Sequence, residues 1–157
     1  SDVLQAQFQA VNANPQKLAF SEVYLALQTG QIDGQENTWS NIYSQKFFEV
    51  QPYFVESNHG LLDYMLVTSQ RFWKGLPDDV RTELDKIIME VTAAVNELAF
   101  KENEDAKKLI MDSGKTEIVQ LTAEEKGKWR SAMKPVWDQF KDEIGANYVE
   151  TAAACSK

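Results

Sequence analysis

Val3, Leu4, Phe8 and Val11 recur at helical spacing and predict an amphipathic helix over residues 2–13, which Asn14-Pro15 ends. A second helix is expected over residues 22–29. Ser21 can accept hydrogen bonds from the first free N–H groups, Glu22 suits the positive end of the helix dipole, and Gly30 supplies a left-handed stop. Beyond the stop, Ile32 predicts a short strand entering the core, and Gly34 lets Gln35, Glu36 and Asn37 gather at its end. Thr38 then caps a helix over residues 39–48 with Trp39, Ile42, Tyr43 and Phe47 on its apolar face, before Pro52 breaks the run.

Residues 53–57 and 61–68 are rich in β-branched and aromatic side chains and predict two strands separated by Asn58-His59-Gly60. A short helix over residues 70–74 follows Ser69. Leu76-Pro77-Asp78-Asp79 is a strong helix start, with proline in the first turn and acids at the positive dipole end. From there Leu84, Ile87, Ile88, Val91, Val95 and Leu98 hold an apolar stripe, and no breaker appears before Gly114. Such a helix would be a rod of about 55 Å. It must lean on something larger than its own lobe, or break in the charged stretch 101–108. Residues 117–121 predict a further strand, and Thr122-Ala123-Glu124-Glu125 is a capping box opening another helix. Trp129, Met133, Val136, Trp137 and Phe140 form that helix's buried side, Pro135 should kink it, and Gly145 ends it ahead of a last short helix from Ala146.

A chain of 157 residues is one domain's worth and can bury roughly 70% of its unfolded surface. Hydrophobic residues at 43% and charged residues at 25% fit an ordinary globule and exclude a disordered chain. No apolar run approaches the ~20 residues that span a bilayer, and Ser1-Asp2-Val3 does not open a signal peptide. The net charge of -8 lacks the basic footprint that nucleic acid or anionic lipid requires. A dianionic ligand would need positive charge focused locally against that field. Cys155 is the only cysteine, which excludes a disulfide framework and a thiolate metal site.

Several short motifs stand in a fixed order over about forty residues: Phe20-Ser21-Glu22-Val23-Tyr24, Leu27-Gln28-Thr29-Gly30, Asp33-Gly34-Gln35-Glu36-Asn37, Gln45-Lys46-Phe47 and Asn58-His59. In this order and spacing the chain resembles the C-terminal half of the solute-binding receptors of tripartite ATP-independent periplasmic (TRAP) transporters, in the branch that binds C4-dicarboxylates. A looser similarity continues through Leu76-Pro77-Asp78-Asp79 and the helices after it. The resemblance implies an α/β fold, one lobe of a two-lobed, type II periplasmic-binding fold, with a mixed sheet flanked by helices and a long helix from about Pro77. On that reading residues 1–157 are the C-terminal lobe, and the N-terminal lobe is absent from the chain.

The resemblance also implies roles for particular residues. Asn37 would contact the ligand's acid group, since its amide can donate to a carboxylate oxygen; without the family pattern it would be read as an asparagine closing a turn. Phe20 would lie against the ligand's carbon chain, or else act as a hydrophobic staple. His59, the single histidine, would contact ligand or water, or else serve as a turn residue. Trp39 could line the cleft, although tryptophans are more often core. Asp33 and Glu36 have no basic or nucleophilic partner nearby in sequence, and where another branch of the family binds a cation this chain has Asn37-Thr38, so no metal and no cofactor are expected. The arginine that grips the ligand carboxylate in the resembled receptors would fall just before Ser1. Arg71 and Arg130 are not obvious substitutes, so the chain alone is expected to bind a carboxylate poorly.

The function so implied is non-catalytic capture of a C4-dicarboxylate such as malate, succinate or fumarate in the bacterial periplasm, with delivery to membrane permease subunits. A receptor for another organic acid is the alternative within this class. An interaction module that self-associates, as a homodimer of the truncated chain, is the alternative outside it. An enzyme is the weakest reading, because no nucleophile–base set, phosphate loop or metal-ligand spacing is present.

Overall fold

A computed structural model describes residues 1–155 as seven α-helices, two 3-10 turns and two strands. In order these are α1 (Asp2–Ala10), a 3-10 turn (Phe20–Glu22), α2 (Val23–Gln28), α3 (Trp39–Ser44), a second 3-10 turn (Phe47–Glu49), β1 (Tyr53–Glu56), α4 (Gln70–Gly75), α5 (Asp78–Asp112), β2 (Glu117–Gln120), α6 (Ala123–Ile144) and α7 (Ala146–Cys155). The two strands pair into one two-stranded sheet. Two compact units are built from these elements, one from residues 1–22, 55–59 and 119–157 and the other from residues 23–54 and 60–118.

In the first unit, α1 packs on α6 and α6 on α7. Ala6, Met133 and Val136 are its buried apolar side chains. The start of α6 carries the expected capping box: Thr122 Oγ1 accepts from the Glu125 N–H at 3.3 Å, and the Glu125 carboxylate accepts from the Thr122 N–H at 2.8 Å. Pro135 sits within α6 without ending it. Gly145, at φ 103°, ends it as expected, and Lys141 Nζ reaches Glu150 at 2.8 Å to tie α7 back to α6.

In the second unit, Leu27, Ile42, Phe47, Phe48, Phe54 and Ile110 form the core, flanked by Val23, Tyr24, Ile32, Trp39, Val50 and Ile118. The helix expected over residues 39–48 is interrupted after Ser44. Lys46 adopts a left-handed φ of 58°, and the 3-10 turn that follows drives both Phe47 and Phe48 inward. Gly30 supplies the left-handed stop at φ 70°, whereas Gly34 has no such backbone and room for a Cβ, 3.9 Å from Gln51 Oε1. Lys115 Nζ lies 2.8 Å from Glu49, and its hydrogen bond holds that carboxyl below the ordinary range.

Three expectations are corrected. Ser21 lies inside the 3-10 turn instead of capping a helix, and α2 begins at Val23. Ile32 sits in a bend, not a strand, although it still packs on the core. Residues 57–69 carry no regular structure, so the strand expected over 61–68 is missing. A strand forms only where a neighbour completes its hydrogen-bond ladder, and among the described residues the sheet contains only β1 and β2. The apolar side chains of this segment stand in solvent: Tyr64 is 86% and Met65 87% exposed.

The long helix is unbroken for 35 residues. Only Ala106 and Ile110 on it are buried, where its last third packs against α3, and residues 89–102 are exposed throughout.

Candidate functional site

Asn37 lies in the polar segment leading into α3, whose position is fixed from two sides. Trp39, the first residue of α3, meets Phe54 edge to face with ring centroids 6.1 Å apart. The Ser40 N–H donates to Asn103 Oδ1 on α5 at 3.2 Å. Asn103, Ala106, Lys107 and Ile110 are three or four residues apart and share one helix face, which α5 turns toward α3. Lys107 Nζ stands 5.8 Å over the Trp39 ring, a cation–π contact that puts positive charge beside this segment.

Within the segment three side-chain amides form a directed chain. Asn41 Nδ2 donates to Asn37 Oδ1 at 2.7 Å, and Asn37 Nδ2 donates to Gln35 Oε1 at 3.2 Å. Gln35 Nε2 at the end of the chain is buried without a hydrogen-bond partner among the described residues. Each amide nitrogen carries two hydrogens, and the internal bonds use one from Asn41 and one from Asn37, leaving the buried Gln35 Nε2 with neither of its own engaged. The cluster is built to meet an acceptor. Thr38 takes the N-cap position of α3 as expected, its carbonyl accepting from the Ile42 N–H at 3.0 Å, while its hydroxyl makes no cap bond and lies 3.2 Å from Ser40 Oγ.

Phe20 and His59 belong to the first unit. Phe20 is exposed on its 3-10 turn. The His59 ring stacks on Trp129 at 5.9 Å and meets Phe8 edge-on at 5.3 Å, while its Nδ1 lies 2.7 Å from Ser57 Oγ. Asn58 takes a left-handed φ of 48° just before it. Of the four side chains singled out in the sequence, Asn37 and Trp39 are therefore brought together in one unit, and Phe20 and His59 lie in the other.

Sequence reasoning missed Asn41, Asn103 and Lys107. The i, i+4 spacings of Asn37 to Asn41 and of Asn103 to Lys107 were the available signal. A concavity of about 600 Å³ also opens in the second unit, walled by Leu66, Val67, Phe72, Trp73, Leu84 and Ile88. Its one charged lining residue is Asp85, which would repel an acid. Among the described residues no three His, Cys, Asp or Glu side chains are gathered to hold a metal ion, and no helix is long and apolar enough to cross a membrane.

The family model for DctP, bacterial extracellular solute-binding protein, family 7, matches residues 1–143. The chain is 54% identical over its whole length to the C4-dicarboxylate-binding periplasmic protein DctP of Shewanella loihica and 51% identical to the protein of that name from Vibrio cholerae, covering 47% of each. It thus spans about half the length of the curated relatives it matches. Among solved structures, a TRAP periplasmic solute-binding protein from Shewanella oneidensis with bound succinate matches all of this chain and 52% of its own, at 52% identity and a TM-score of 0.93. Another from Pseudomonas aeruginosa PAO1, with bound L-malate, matches 88% of this chain and 48% of its own at 47% identity and a TM-score of 0.83. The sequence motifs, the long helix and these matches place the chain in one family: it belongs to the bacterial extracellular solute-binding proteins, family 7.

Proposed function

We propose that the chain is the C-terminal lobe of a periplasmic receptor that captures a C4-dicarboxylate and hands it to the permease subunits of a TRAP transporter. The observation that carries this reading is identity above 50%, over the whole chain, to two proteins named for C4-dicarboxylate binding. The geometry supports it. An amide cluster that ends in a buried, unpartnered N–H donor suits a carboxylate, because hydrogen bonds to a charged acceptor are about twice as strong as neutral ones. The cluster performs no bond chemistry, so the role is binding without catalysis. Asn37 takes the acid group with Trp39 beside it.

In the complete receptor the exposed segment 61–68 and the bare stripe of α5 are covered by the complementary lobe. On its own the chain covers the same face with a second copy of itself.

Calorimetry tests the receptor reading on this chain joined to the complementary half of the Shewanella oneidensis relative. Succinate, L-malate or fumarate should bind, and Asn37→Ala should weaken binding by about 1.5–3 kcal/mol. It should also lower the melting temperature, because Asn37 bridges Gln35 and Asn41. Absence of heat with these and other small carboxylates would falsify the assignment.

A further inference from the structure

We infer that Asn41 is a positioning residue that sets which way the Asn37 amide faces, and through it the preference of the site for a carboxylate over a carboxamide. The inference rests on the acid-binding role given to Asn37 above. An asparagine amide can present either its oxygen or its nitrogen to a ligand, and the two ends are nearly identical in shape. What chooses between them is the hydrogen bond made by the other end. Here the choice is made from α3, one turn downstream, where Asn41 Nδ2 donates to Asn37 Oδ1 at 2.7 Å. That bond occupies the oxygen and leaves the nitrogen to donate. One of its hydrogens goes to Gln35 Oε1 at 3.2 Å. The second remains for a ligand.

The order Asn41 to Asn37 to Gln35 is polarised in one direction, and amides linked this way strengthen one another as donors. It ends at Gln35 Nε2, a buried donor with no hydrogen-bond partner among the described residues. The second hydrogen of Asn37 Nδ2 and the buried Gln35 Nε2 are both donors, and together they suit the two oxygens of a carboxylate. A carboxamide in the same place turns its own N–H₂ against one of those donors. Asn41 reaches the ligand through Asn37 and is not itself required to touch it.

The test uses the joined receptor described above and measures two ligands, succinate and its mono-amide, against three versions of position 41. Asn41→Ala removes the donor, while alanine keeps α3 helical. It should weaken succinate binding about three- to tenfold, the worth of one neutral hydrogen bond, and narrow the succinate to mono-amide ratio by a similar factor. Asn41→Ser keeps a short donor and should retain most of the ratio. In the chain alone, Asn41→Ala should shift the Asn37 side-chain amide resonances with the far-ultraviolet circular dichroism unchanged. Equal losses for both ligands, or a ratio that does not move, would show that Asn41 is only structural and overturn the inference while leaving the receptor reading intact. An unsubstituted receptor that binds neither dicarboxylate nor mono-amide overturns the receptor reading and this inference with it.

Discussion

At the scale of single residues, position matters through which atom a neighbour leaves available. Asn37 illustrates this at the candidate site, and Thr122 with Glu125 illustrates it for folding. The Glu125 carboxylate accepts from the Thr122 N–H and hydroxyl, both at 2.8 Å, and the backbone bond is the main reason its pKa falls below the ordinary 4.5. A depressed carboxyl contributes stability that is full above its unfolded value. That contribution is lost as the pH falls from about 4.5 through the lower folded value. Glutamine can make the same box without a titrating group. The melting-temperature difference between the native chain and Glu125→Gln should therefore be constant above about pH 6 and shrink steadily under acid. Thr122→Ala, which removes the hydroxyl acceptor, should cost about 1 kcal/mol at neutral pH. A difference that stays flat to pH 3 would show that the carboxylate charge adds nothing to this cap.

At the scale of elements, α5 divides into a part that holds the fold and a part that does not. Ile110 is fully buried in the core of the second unit, so Ile110→Ala should cost about 2–5 kcal/mol. Val95 is on the same helix but 52% exposed, and Val95→Ala should change stability by less than about 0.5 kcal/mol in the chain alone. Chemical denaturation of the two variants measures both, and similar losses would mean that the stripe is covered even in isolation. The helices were legible in the sequence because their signals are local: Thr122 and Glu125 cap α6, Gly30 and Gly145 stop α2 and α6, and Pro77 with two acids opens α5. The strands were less so. Residues 53–56 and 61–68 look alike in composition, yet only the first finds a partner, and pairing is a long-range property that composition does not contain. The site divides the same way. Asn37 and Trp39 could be named from their motif, but the neighbours that define them, Asn103 and Lys107, come from more than sixty residues away and only the packing of α5 on α3 brings them near. His59 was legible as a residue but not in its setting, since Phe8 and Trp129 reach it from opposite ends of the sequence.

For the whole molecule the dominant fact is uncovered apolar surface in the second unit. Leu61, Tyr64, Met65, Leu66 and Val67 on the extended segment and Val91, Val95 and Leu98 on α5 all face solvent. Exposed patches beyond a few hundred Å² are rare on monomers, and an unpaired β-prone segment is a template for pairing. The net charge of -8 opposes association, but at physiological salt it is screened over about 8 Å. Light scattering at micromolar concentration should therefore report a mass near twice the 17.9 kDa of the chain, rising further in favour of the dimer as salt is added. Leu66→Asp should restore the monomer. A monomeric native chain at high salt would remove the self-association reading.

The division within α5 has a thermodynamic consequence for whatever docks there. Residues 89–102 are joined to an anchored end and are exposed throughout, so packing contributes little to their helical order, which rests mainly on backbone hydrogen bonds. A partner must freeze these turns as it arrives. Fixing each residue costs about 1–2 kcal/mol of backbone entropy, partly offset by the helix already present, so a partner that docks on these turns gains less than the contact area alone would give.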